Sequence, residues 1–86
     1  MPRPRPSIEE VTAAVVAFLN DHIMAASHRV AADDLLAAAG VDSMALLKVL
    51  VFIERAYGLW IPDEALTDDV IATARTLAAY ICRAAA

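Results

Sequence analysis

The chain has 86 residues and a formal net charge of -4, seven Lys and Arg against eleven Asp and Glu. So few cations, with Arg3 and Arg5 set in a proline-rich tail, leave no basic footprint for nucleic acid, and a single cysteine excludes an internal disulfide. A core of this size supplies only roughly 3 to 5 kcal/mol, so a chain that is 60% hydrophobic and rich in Ala and Leu must hold itself by packing, as one compact helical domain does.

Taken in order, "MPRPRP" reads as a disordered or extended tail over residues 1–6, because its prolines deny the backbone helical hydrogen bonds. Glu9 and Glu10 interrupt the basic region that a secretion signal needs, and the apolar run "VTAAVVAFL" ends in "NDH" rather than at a small-residue cleavage site. Lys48 divides the longest apolar stretch, so no transmembrane helix is expected and the protein reads as soluble and cytoplasmic. The folded domain is placed at residues 7–84.

The first helix starts at a capping box, "SIEE", in which the Ser7 hydroxyl accepts from the Glu10 amide and the Glu10 side chain reaches back. Ile8, Val11, Val15, Phe18 and Leu19 then recur at helical spacing and bury one face to about Ile23. From Met24 to Asp42 the periodicity fades. A linker this long in a small domain has to pack or function, so Leu35 and Leu36 are expected to pin it, with Asp33 capping a short turn.

The second helix begins at Asp42 or Ser43 and ends near Tyr57, where Gly58 supplies a left-handed stop. Leu46, Leu50, Ile53 and Tyr57 form the core stripe. A second apolar stripe, Met44, Leu47 and Val51, is rotated away from it and flanked by Lys48, Glu54 and Arg55. A bundle with one buried face per helix does not require this second stripe. After Pro62, Thr67 and Thr73 are caps for a short helix, Thr67 to Ile71, and a final helix to about Arg83 with Ala74, Leu77, Ala78 and Ile81 inward; a single continuous helix is the alternative, since no Gly or Pro separates the two. The architecture is all-α, three main helices and a short third one, with no repeat.

Ser43, in "GVDSM", is the residue that most calls for explanation. As a plain helix cap it is poor, because Leu46 stands where a capping box wants Glu or Gln. It sits instead at an exposed helix N-terminus, where backbone amides favour a phosphate-bearing group, one residue before the surplus stripe. A hydrolase reading lacks the glycines of a nucleophile elbow and room for a pocket. His22 and His28 read as solvated, and with Asp21 they lack metal-ligand spacing. Cys82 reads as a small buried residue with no activating neighbour.

"GVDSM", followed by "ALLKVLVFIERAYGLWIPDE", resembles the signature, second helix and Ile-Pro-Asp-Glu turn of acyl and peptidyl carrier proteins, and the resemblance runs from Ser7 to Ile81. It implies a right-handed four-helix bundle that catalyses nothing. By the same resemblance Ser43, with Asp42 in the motif, would receive 4′-phosphopantetheine from coenzyme A, through a Mg²⁺-dependent phosphopantetheinyl transferase. The arm would then hold an acyl or aminoacyl group as a thioester. Met44, Leu47, Lys48, Val51, Glu54, Arg55 and Ile71 would face the partners: the transferase, a loading ligase or adenylating enzyme, and an acyl-accepting transferase or synthase. Familiar fatty-acid carriers have a second helix studded with acids, whereas this one carries Lys48, Glu54 and Arg55. Weak electrostatic steering is therefore expected, in a free-standing, monomeric carrier of a specialised biosynthetic pathway (polyketide or nonribosomal peptide) or of aminoacyl transfer. An unmodified adaptor using the Met44 stripe, and burial of that stripe in a homodimer, are the competing readings.

Overall fold

The computed structural model describes residues 6–85, so all of the tail expected over residues 1–6 except Pro6 lies outside the described residues. Three α-helices follow one another, α1 (Ile8–His22), α2 (Ser43–Tyr57) and α3 (Ala74–Ala84), with a 3-10 turn at Asp63–Ala65, and no strand occurs among the described residues. The all-α bundle expected from the sequence is the one observed.

Each helix starts where a side chain satisfies an otherwise orphaned amide. Ser7 Oγ accepts from the Glu10 amide at 3.1 Å, and Glu9 and Glu10 place negative charge at the positive end of α1. The return bond from the Glu10 side chain is not made among the described residues. Thr73 and Thr76 do form a reciprocal box at the start of α3. Along α1, Val11, Val15 and Leu19 are wholly buried, as the spacing predicts. Ile8 is not: it is exposed at the open first turn, and Thr12 takes a place in the core. On α3 all four expected residues, Ala74, Leu77, Ala78 and Ile81, are fully buried, and this face packs on α1.

The core face of α2 is turned slightly from the expected stripe. Leu50 and Ile53 are buried, but Val49 and Ala45 join them while Leu46 and Tyr57 are only half-buried. Ile61, brought in by the loop after Gly58, closes the core beside them. Gly58 ends α2 at φ 69°, a left-handed conformation that favours glycine.

The long segment between α1 and α2 is pinned by one of the two residues expected and by one that was not. Leu36 is buried, but Leu35 is 61% exposed, and the second apolar anchor is Val30. The Asn20 side-chain amide holds the Val30 backbone from both sides, donating to its carbonyl at 3.0 Å and accepting from its amide at 2.9 Å. Asp34, not Asp33, closes the local turn by accepting from the Ala31 amide at 2.8 Å. Asp33 instead pairs with Arg75 of α3, also at 2.8 Å. This second tie, 42 residues away in sequence, has no local signature.

Where a short helix is expected over Thr67 to Ile71, the chain makes a single turn: the Thr67 carbonyl accepts from the Val70 and Ile71 amides at 3.0 and 3.1 Å. It goes no further because the Ala72 carbonyl accepts from the Leu36 amide at 2.9 Å, and Thr73 is extended. The turn and α3 are therefore separate elements.

Candidate functional site

A sequence of local hydrogen bonds places Ser43. Residues 36–41 form one helical turn that ends in a Schellman closure, with the Val41 amide donating to the Leu36 carbonyl at 3.0 Å and the Gly40 amide to Ala37 at 3.2 Å. Gly40 takes φ 93° to allow it. The chain leaves this turn extended through Asp42, whose carboxylate accepts from the Ala45 amide at 2.9 Å and caps α2. Of the two residues at which the sequence lets α2 begin, Asp42 is the cap. Ser43 is thereby freed of the task and becomes the first residue of the helix, exposed to solvent.

The chain has three serines, and their hydroxyls differ. Ser7 Oγ caps α1, and Ser27 Oγ is 2.9 Å from His28 Nδ1. Ser43 makes no side-chain hydrogen bond among the described residues. With the Ala45 amide on the Asp42 carboxylate and the Leu46 amide on the Asp42 carbonyl, the Ser43 and Met44 amides at the positive end of α2 are left for a ligand or water. No acidic residue occupies that first turn. A phosphodiester on the Ser43 oxygen would meet free amides and a favourable dipole, so the residues present fit such a group.

The Ser27 and His28 pair is exposed, on a loop, and made by sequence neighbours, and among the described residues no third group hydrogen-bonds the imidazole. It does not have the form of a hydrolytic site. Among the described residues no three metal-ligating side chains come together. Cys82 is half-buried and donates to the Pro6 carbonyl at 3.5 Å. Burial first, then Glu9 and Glu10, raise its pKa, which leaves it less thiolate than an ordinary cysteine.

Beginning one residue after Ser43, the surplus stripe of α2 is exposed as expected: Met44 67%, Leu47 47% and Val51 38%. It forms one side of an open groove that Lys48 and Arg55 also line. Glu54 lies outside that lining, and so does Ile71. Ile71 belongs to a separate depression with Leu46, Val41 and Leu36.

The rest of the groove was not legible in the sequence. Phe18 of α1 stacks on Phe52 of α2 with centroids 4.6 Å apart and planes 17° from parallel. His22 sits over Phe18 at 5.0 Å. The helical spacing assigns Phe18 to the core, and the half-buried ring does pack against the core while also stacking on Phe52 and lining the groove. The one available signal was the i, i+4 relation of Phe18 and His22, which puts both on one side of α1.

The family model described as "Phosphopantetheine attachment site" matches residues 9–81. No curated protein matches the chain.

Proposed function

The chain belongs to the phosphopantetheine attachment site family, with residues 9–81 of 86 matched, and from that membership we propose that Ser43 is the attachment residue. Domains of this family carry a covalent 4′-phosphopantetheine arm and are not catalysts. The observation that carries the assignment to Ser43 is its hydroxyl: exposed, unengaged, and at the start of a helix whose cap is supplied by Asp42. When attached, the arm supplies a terminal thiol that holds an acyl or aminoacyl group as a thioester. The chain's own part is structural. Asp42 keeps α2 in register and Ser43 out of the capping network, Gly40 turns the backbone so that Ser43 emerges into solvent, and the Ser43 and Met44 amides balance phosphodiester charge.

Residues 7–84 make up the carrier domain in this reading. The stripe of Met44, Leu47 and Val51, with Lys48 and Arg55, is where the phosphopantetheinyl transferase, the loading enzyme and the acyl-accepting enzyme dock, while Glu54 and Ile71 touch only the margins of bound partners. A nearly acid-free α2 favours service in a specialised biosynthetic or aminoacyl-transfer pathway of the cytoplasm over primary fatty-acid synthesis. Incubating the protein with coenzyme A, Mg²⁺ and a broad-specificity phosphopantetheinyl transferase should add one arm to the intact mass, and none to the Ser43→Ala variant. A wild type that stays unmodified with several transferases would point to an unmodified adaptor.

A further inference from the structure

The groove beside Ser43 is built by two helices and its charge is opposite to that of the molecule. The protein carries a net charge of -4, yet the charged or titratable groups lining the groove are Lys48, Arg55 and His22, with no carboxylate among them. Neither Lys48 nor Arg55 is in an ion pair among the described residues, where Arg75 with Asp33 is the pair found. At about 100° per residue, Lys48 and Arg55 project between Phe52 on one side and Met44 and Val51 on the other. They are seven residues apart in sequence, about 10 Å along the helix. Two cations therefore run down the middle of an apolar groove, between the stacked Phe18 and Phe52 and the aliphatic stripe.

We propose that this groove is a docking surface for an acidic partner: a protein helix presenting apolar side chains with carboxylates about two turns apart, seated against α1 as well as α2. The proposal rests on the carrier reading for the identity of the occupant as a partner enzyme, and names the surface chemistry that enzyme must have. Charge complementarity decides between occupants. A basic partner would bring like charges onto Lys48 and Arg55 in a partly desolvated groove. A second copy of this chain offers the same cations in a two-fold arrangement, which opposes self-association through this face.

The test uses the full chain, not loaded, labelled with ¹⁵N, and two amphipathic peptides of roughly 20 residues, long enough to hold a helix. One carries Leu and Phe on a face with paired Glu, and the other replaces each Glu with Lys. The Glu peptide should bind about tenfold more tightly at low salt, the size that two exposed pairs can carry, and should shift the amides of Phe18, His22, Phe52 and the residues from Met44 to Arg55. Added salt should shrink the preference, and Lys48→Glu with Arg55→Glu should reverse it. If that double variant fails to fold, Lys48→Gln with Arg55→Gln should abolish the preference instead. Equal binding of both peptides, shifts confined to residues 35–41 and 68–72, or concentration-dependent dimerisation abolished by the double variant would each overturn the proposal. The peptide measurements do not depend on loading. A chain that prefers the Glu peptide but is never modified refutes the carrier reading and leaves the acidic surface preference, while a chain that is modified but shows no preference does the reverse.

Discussion

Val49 and Val51 differ by two positions on the same helix and should respond very differently to the same substitution. Val49 is 1% exposed and Val51 38% exposed. Burying a valine fully contributes about 1.5 to 3 kcal/mol, so Val51→Glu forfeits at most about 1 to 2 kcal/mol, offset in part by the better helix propensity of Glu. Val49→Glu forfeits the whole contribution and in addition strands a carboxylate in the core, at a cost of several kcal/mol. Against a total stability of roughly 3 to 5 kcal/mol for a domain of this size, the first variant stays folded and the second does not. Urea unfolding followed by helical circular dichroism reads both. Val51→Glu should keep the wild-type helix signal and most of the midpoint while slowing transferase-catalysed loading; Val49→Glu should have lost its cooperative transition. If the two variants are equally destabilised, the Met44, Leu47 and Val51 stripe is core and the groove is not a docking face.

Three further outcomes follow from the same geometry. Asp42→Ala removes the cap of α2 and should cost about 1 kcal/mol, whereas Ser43→Ala removes no hydrogen bond of the fold and should leave the urea midpoint within error; a larger loss for Ser43→Ala would mean that its hydroxyl is structural. Burial raises the pKa of Tyr57, with smaller contributions from Cys82 and Glu10, and burial also raises that of Cys82. Both groups ionise first in the unfolded chain, so their stabilisation is complete below the ordinary values and is lost as pH rises. Stability should fall above about pH 9, with a shallower fall in Tyr57→Phe, as thermal melts across alkaline pH would reveal. Ellman's reagent near pH 8 should find one slow thiol, Cys82, in the unmodified chain, and a second, fast thiol once phosphopantetheine is attached and before any acyl group is added; a fast Cys82 would contradict its half-buried, raised-pKa setting.

What could be read from the sequence was whatever local chemistry decides. The caps at Ser7 and Thr73, the stop at Gly58 and the buried face of α3 each depend on residues within a turn or two of one another, and the structure has them where periodicity places them. The solvent exposure of Ser43 also follows locally, from Gly40 and Asp42. The anchoring of the long loop does not. Leu35 and Leu36 are indistinguishable by composition, and only the fold, through the Leu36 amide on Ala72 and the Asn20 clamp on Val30, shows which of them turns inward. The turn at Thr67 stops for the same distant reason. Half of the groove was hidden likewise, because Phe18 joins it only by the way α1 crosses α2 and stacks on Phe52.

The most direct measurement is to locate the added group on the loaded protein by fragment-ion mass spectrometry after digestion. A single phosphopantetheine on Ser43, with Ser7 and Ser27 unmodified, is the result this account predicts. An arm on any other residue, or one still gained by the Ser43→Ala variant, would contradict it.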